Sequence, residues 1–203
     1  MTTASSRAPG GEAAALAACG PGEGQVAQFA PVFTAGAIAC RVAELGAAIS
    51  RKYQGQRLLI VGVLKGAFVF LADLIRHVTV SARVDFVRLA SYGANDSPGE
   101  IVFCQDMEMS CTGEHILIVE DIVDTGRTMA QLLSVLRLRG AASVALCALI
   151  DKTERREAQV TVDFPGFVLA KGFLVGYGLD FAEDYRSLPG IYEMKPARRV
   201  MHT

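Results

Sequence analysis

Tryptophan is absent from the 203-residue chain and aromatic residues supply only 7% of it, so any core must be built mainly from aliphatic side chains. Histidine is nearly as scarce. With only His77, His115 and His202, and no Cys-x-x-Cys pair among Cys19, Cys40, Cys104, Cys111 and Cys147, the sequence predicts no structural zinc site. The odd, scattered cysteines form no disulfide framework either, and they read as reduced thiols, mostly core fillers. Neither sign of charge dominates: 20 basic residues stand against 21 acidic ones, for a net charge of −1. That balance argues against a broad nucleic-acid surface or a polybasic membrane anchor, and leaves room for a local basic pocket. Long hydrophobic runs are missing too. The longest, around Leu58–Leu64 and 141–150, fall far short of the roughly 18 residues of a membrane span. Arg7 is the only basic residue before Arg41 and is offset by Glu12 and Glu23, while the C-terminal Met-His-Thr differs from a Ser-Lys-Leu address. These features predict a cytoplasmic protein with neither a secretory signal nor an import peptide.

What the chain does have is a half share of apolar residues (51%) and a charged fraction of only 20%, a balance unlike that of disordered chains. Its length suits one domain, at about 100–200 residues each. Residues 1–30, rich in Ala, Gly and Pro without a sustained period, read as a flexible N-terminal arm, and residues 31–203 as the folded domain. Ile38, Val42, Leu45 and Ile49 recur at helical spacing, with a stop near Gly55. Leu58–Leu64 is a continuous apolar run of the kind found in strands buried on both faces. A mostly apolar helix over 67–77 and a strand over 84–90 follow. The stretch 91–100 is polar and rich in turn residues, and 101–107 reads as its returning partner. A buried strand at 115–119 precedes a helix over 127–139, whose apolar face is Met129, Leu132, Leu133 and Leu136 and whose C-terminal cap is Gly140. Strands are then predicted at 143–150, 160–162, 167–170, 173–175 and 191–194. Alternating strands and helices predict an α/β domain with a largely parallel sheet.

The most informative segment runs Ile116-Leu117-Ile118-Val119-Glu120-Asp121-Ile122-Val123-Asp124-Thr125-Gly126-Arg127-Thr128. Apolar residues deliver two adjacent carboxylates to the carboxyl end of a strand, where open α/β sheets bind ligands. The turn over 124–128 aims backbone N–H groups, hydroxyls and a helix N-terminus at one point, as a phosphate site does. Three acids beside such a site need a hydroxyl-rich or cationic companion. A Mg²⁺-bound sugar phosphate supplies both.

This segment resembles the signature of type I phosphoribosyltransferases, which bind 5-phosphoribosyl 1-diphosphate. The pattern joins an apolar strand, paired acids, a two-residue spacer and Asp-Thr-Gly-x-Thr, and it is far more specific than a lone glycine motif. The resemblance implies the type I phosphoribosyltransferase fold: a largely parallel central sheet flanked by helices, with a small hood built near the C-terminus.

Four further stretches extend the likeness over roughly 32–196 and narrow it to hypoxanthine-guanine phosphoribosyltransferases. Leu64-Lys65-Gly66-Ala67 resembles that family's diphosphate loop, in which the Leu–Lys peptide can be cis. Taken alone, Lys65 reads as a solvent-facing lysine at a strand end. Ser91-Tyr92-Gly93 resembles the start of the mobile lid, whose closure excludes water from a glycosyl-cation-like transition state. Composition alone reads the same stretch equally well as a hairpin tip. Asp151-Lys152-Thr153-Glu154-Arg155-Arg156 resembles the segment whose lysine donates to a purine 6-oxo group. Bare, it is a charged loop. Phe173-Leu174-Val175-Gly176-Tyr177-Gly178-Leu179-Asp180 resembles the purine platform, and Arg186 the arginine that grips the leaving diphosphate.

By this resemblance Glu120 and Asp121 hold the ribose hydroxyls and serve Mg²⁺, and Asp180 lies near a second Mg²⁺. Asp124 is the general base at purine N7. Thr125, Gly126, Arg127 and Thr128 bind the 5′-phosphate, and Lys65, Gly66, Arg156 and Arg186 lie on the diphosphate side. Lys152 reads the 6-oxo group, Phe173 stacks on the base, and Leu174 offers backbone groups at its edge. Arg127 stands where family members often carry lysine, and the N-terminal arm has no counterpart. The implied activity is purine salvage: hypoxanthine or guanine plus phosphoribosyl diphosphate gives IMP or GMP plus diphosphate. A homodimer or homotetramer is implied, with no nucleic-acid or membrane partner. Two alternatives stay open here: another base, with Lys152 disfavouring adenine and xanthine undecided, or a phosphoribosyl-diphosphate sensor that binds nucleic acid.

Overall fold

The computed structural model describes residues 28–91 and 101–195. The described chain runs β1 (Gln28–Phe33), α1 (Ala35–Lys52), β2 (Leu58–Leu64), α2 (Phe68–Leu74) with a 3₁₀ turn at Ile75–His77, and β3 (Ala82–Ser91). It continues through β4 (Ile101–Gln105), β5 (His115–Val123), α3 (Arg127–Leu138), β6 (Ser143–Lys152), β7 (Phe164–Leu169), β8 (Leu174–Val175) and β9 (Ile191–Lys195). Contacts divide the described residues into two units, one spanning Gly36–Gly172 and one formed by those up to Ala35 and from Phe173 onward.

The larger unit is built on a six-stranded sheet in the order β4-β3-β2-β5-β6-β7. β2 pairs in parallel with both β3 and β5, β6 pairs in parallel with β5 and β7, and only β4 is antiparallel, on β3. The run Leu-Leu-Ile-Val-Gly-Val-Leu suits a central strand because both of its faces are covered. On one face Leu59, Val61, Val63, Ile116, Ile118, Leu146 and Ala148 cluster with Met129, Leu132, Leu133 and Leu136 of α3. Each of those four helix side chains, fully withdrawn from water, contributes about 1.5–3 kcal/mol. On the other face α2 settles against Gly62, where an added Cβ would lie 2.6 Å from Leu71 Cδ2. α1 is fastened by Arg41, which donates from Nε to the Gly166 carbonyl and from its terminal nitrogen to that of Pro165, both at 2.7 Å. Gly140 (φ 86°) closes α3, donating to the Arg137 carbonyl at 3.0 Å.

From β2 the chain returns through α2 to β3 on one side. From β5 it returns through α3 to β6 on the other. The loops leaving the carboxyl ends of β2 and β5 therefore part in opposite directions, which opens a crevice between them.

The smaller unit is a three-stranded antiparallel sheet in the order β1-β9-β8. Its own cluster joins Val175, Tyr185, Leu188 and Tyr192, with Phe29 against them.

The structure departs from the sequence reading in several places. Gln28–Phe33 is a strand, although order was expected only from Pro31. An edge position accommodates the proline, because its missing N–H faces no partner. The rest of the expected arm, and the polar stretch from Tyr92 to Glu100, lie outside the described residues. Residues 160–162 form no strand, and Val160 and Val162 instead pack against the core beneath α3. β5 continues past 119 to Val123, so the paired acids belong to the strand itself. Of the described cysteines, Cys111 and Cys147 are buried as expected, whereas Cys40 and Cys104 are exposed. Among the described residues, no helix is long and apolar enough to cross a membrane.

Candidate active site

At the crevice between β2 and β5 lies a cleft of about 350 Å³. Val63, Leu64 and Gly66 line it from the β2 side, Leu89 from β3, and residues 120–126 with Thr128 and Met129 from the β5–α3 side. The Leu64–Lys65 peptide is cis. Lys65 is exposed, and Gly66 sits hard against Asp121: a Cβ on Gly66 would lie 1.6 Å from Asp121 Oδ2. Glycine is required there by close approach.

Glu120 and Asp121 are successive residues near the carboxyl end of β5, and both line the cleft. Glu120 is buried and its Oε2 has no hydrogen-bond partner. Burial, and after it the charge of Asp121, hold the Glu120 carboxyl well above the usual carboxylate range. Asp121 Oδ1 accepts from the Ile122 amide at 2.7 Å. A buried carboxyl oxygen without a partner costs about 1–3 kcal/mol, a cost that a ligand hydroxyl or a cation would offset.

Asp124 follows the last residue of β5. Its Oδ1 is buried without a partner, while Oδ2 faces Arg155 at 3.3 Å and Lys152 Nζ at 4.0 Å. Lys152, at the end of β6, is only 11% exposed, whereas Arg155 is 70% exposed. Arg155 received no role from the sequence. Its contact depends on the path of the loop after β6, which no local pattern reveals.

Gly126 adopts φ 78° at the start of α3, a conformation that side chains rarely take, and a Cβ there would strike Val160 Cγ1 at 2.7 Å. Gly126 itself supplies no side-chain cap, and the Arg127 amide donates to Thr125 Oγ1 at 3.4 Å. The Thr125 carbonyl accepts from the amides of Glu157 and Ala158 at 2.9 and 3.0 Å, and Arg127 is ion-paired with Glu157 at 2.5 Å.

Arg156, expected on the diphosphate side, donates to groups at the ends of β5 and β6 and in the loop after β6. Its guanidinium is engaged by the carbonyls of Val123, Asp124, Lys152 and Val160 and by the Asp151 carboxylate. Those acceptors engage all three nitrogens.

Within the smaller unit, Phe173 is 48% exposed and meets Phe181 edge to face at 5.6 Å. An aromatic ring left open to solvent is available for stacking. Leu174 is buried in β8. Arg186 is held by Asp180 at 2.8 Å, by Glu183 at 3.1 Å and by the Gly178 carbonyl at 2.8 Å. Ser91 ends β3, and Tyr92 falls outside the described residues.

A largely parallel α/β sheet with an acid-lined cleft at its switch point defines a class, and the family comparison names it. Residues 32–182 match the phosphoribosyl transferase domain, and the chain belongs to that family, with its fold. It is 45% identical over 158 residues to the hypoxanthine-guanine phosphoribosyltransferase of Bacillus subtilis, covering 77% of this chain and 88% of the relative. Against the hypoxanthine phosphoribosyltransferase of Escherichia coli it is 44% identical over 157 residues, 76% of this chain and 88% of the other. Among solved structures, a hypoxanthine phosphoribosyltransferase from Staphylococcus aureus superposes with a TM-score of 0.80 at 37% identity, covering 82% of this chain and 91% of that one.

Proposed function

We propose that the protein is a hypoxanthine-guanine phosphoribosyltransferase of purine salvage. It moves the 5-phosphoribosyl group from phosphoribosyl diphosphate to N9 of hypoxanthine or guanine. The observation that carries this reading is the pairing of Asp124, which lines the acid-lined cleft, with Lys152 at 4.0 Å. An acceptor and a cationic donor so spaced match the N7 and 6-oxo edge of such purines, whereas adenine offers a 6-amino donor to the lysine.

In the reaction the bond from the ribose anomeric carbon to diphosphate breaks and the bond to N9 forms. The purine N7 proton passes to Asp124, whose buried Oδ1 is the open acceptor. Glu120 and Asp121 accept hydrogen bonds from the ribose hydroxyls and place negative charge beside a ring that becomes cationic in the transition state. The amides and hydroxyls of residues 125–128 bind the 5′-phosphate, helped by the helix N-terminus. The family resemblance gives Lys65 a role toward the leaving diphosphate and, within the smaller unit, gives Arg186 the same role and Phe173 the stacking on the purine.

Mg²⁺ fits this donor set. Among the described residues no three His, Cys, Asp or Glu side chains cluster into a metal cage. Such a cage is not what Mg²⁺ needs, since it keeps several waters and is shared with substrate phosphates. Glu120 and Asp121 would hold it, and when bound it would offset charge on the diphosphate; Asp180, in the smaller unit, would serve a second ion. The active species is a homo-oligomer in the cytoplasm.

The test is nucleotide formation with Mg²⁺ and phosphoribosyl diphosphate, offering hypoxanthine, guanine, xanthine, adenine and uracil separately. Turnover of the first two is expected, and the xanthine rate defines the breadth of the site. Silence on all five, with phosphoribosyl diphosphate still bound, refutes the reading.

A further inference from the structure

The pairing between β5 and β6 ends at Val123 and Asp151. Asp124 lies one residue beyond, where no ladder hydrogen bond holds it to Lys152. A purine fixes the distance between N7 and the 6-oxo group through its rigid ring, so the two side chains that read those atoms must be fixed as well.

Arg156 spans the gap. Its side chain is 20% exposed and ion-paired with Asp151. Nε donates to the Asp124 carbonyl at 3.1 Å, and one terminal nitrogen donates to the carbonyls of Val123 at 3.3 Å and Lys152 at 2.8 Å. The other terminal nitrogen donates to the Val160 carbonyl at 3.2 Å. A planar guanidinium presents five N–H groups in a fixed fork, a geometry that a lysine ammonium lacks. The side chain also closes on the turn itself, with Cδ 3.0 Å from where a Gly126 Cβ would stand.

We propose that Arg156 is a positioning residue, replacing the missing ladder bonds and holding the base Asp124 and the purine-reading Lys152 in one frame. This rests on the roles given to those two residues above. Arg156 touches no substrate and acts through Asp124. Its loss therefore appears in the chemical step, since a misplacement of about 1 Å can cost on the order of 10²-fold.

The experiment is a double-mutant cycle on the full chain. Arg156→Met and Arg156→Lys are made in the wild-type and Asp124→Asn backgrounds, with kcat, KM for hypoxanthine and thermal midpoint measured for each. In the wild-type background Arg156→Met is expected to lower kcat by about 10²-fold. Arg156→Lys, which keeps the charge opposite Asp151, recovers part of the loss and guards against a methionine variant that does not fold. In the Asp124→Asn background either substitution should cost less than about threefold more, because no base remains to be positioned. Equal losses in both backgrounds, or wild-type kcat in the folded Arg156 variants, overturn the proposal. An inactive wild type overturns the functional reading as well. An active wild type with active Arg156 variants overturns only this one.

Discussion

Gly66→Ala tests the architecture of the cleft with one methyl group. Gly66 does not have a positive φ, so alanine is permitted by the backbone and the whole effect must come from crowding. The new Cβ would start 1.6 Å from Asp121 Oδ2 and must reach at least 3.0 Å, a retreat of about 1.4 Å by either the carboxylate or the loop. Asp121 is anchored by the Ile122 amide at 2.7 Å, so the movement breaks that bond or displaces the loop carrying Lys65. Overpacking of this kind costs about 1–3 kcal/mol of stability. A displacement beyond 1 Å at reacting groups costs on the order of 10²-fold in rate. Steady-state kinetics with hypoxanthine should therefore show kcat/KM down by about 10²-fold. Thermal or urea unfolding should show a stability loss that disappears when Gly66→Ala is made in an Asp121→Ala background. A Gly66→Ala protein with kcat/KM and midpoint both at wild-type values would refute the close approach.

Asp124→Asn is expected to lower kcat by about 10²–10⁴-fold at unchanged thermal midpoint, and unchanged turnover would remove Asp124 from its role as base. Tyr53 has a buried hydroxyl with no hydrogen-bond partner, and burial, then the nearby Asp163 charge, push its phenol up to about 12. Tyr53→Phe removes an unsatisfied group and should raise stability in urea by about 1 kcal/mol. A loss of that size would show that the hydroxyl has a partner. Asp106 is held below the usual carboxylate range chiefly by its hydrogen bond from Arg139. Its folded-state value is depressed, so its stabilisation is present above about pH 4 and is lost as pH falls through the folded value. Asp106 is 45% exposed, which limits the effect to at most about 1 kcal/mol. The midpoint difference between wild type and Asp106→Asn should shrink toward acid pH, and a difference constant from pH 7 to 3 would be the contrary result.

The central strands and the β5–α3 turn were legible in the sequence because their cause is local. Leu58–Leu64 is apolar throughout because parallel strands at a sheet centre are covered on both sides, and the acids, Gly126 and the α3 face follow one another without interruption. β1 escaped notice because it carries a proline and its partner β9 lies at the far end of the described chain. The β-branched pair Val160 and Val162 suggested a strand. The neighbouring amides of Glu157 and Ala158 are spent instead on the Thr125 carbonyl, which binds the segment to the turn and not to a sheet. Arg155 and Arg156 are adjacent and chemically identical, yet one is 70% exposed beside Asp124 and the other is pegged into backbone carbonyls. Such a distinction exists only once the carbonyls have been placed.

Glu120 and Asp121 sit within a strand paired with β6, and β5 pairs with β2 up to the residue just before them. Backbone of that kind does not open by fraying, so the acids are lost only when the sheet itself comes apart. Occupancy and global unfolding are then linked equilibria: a sugar diphosphate at about 100 times its Kd should add its full 2.7 kcal/mol, roughly, to the unfolding free energy. A thermal melt can thus weigh substrates and analogues against each other without any turnover, and amide exchange in β5 should slow in step with the rise in midpoint.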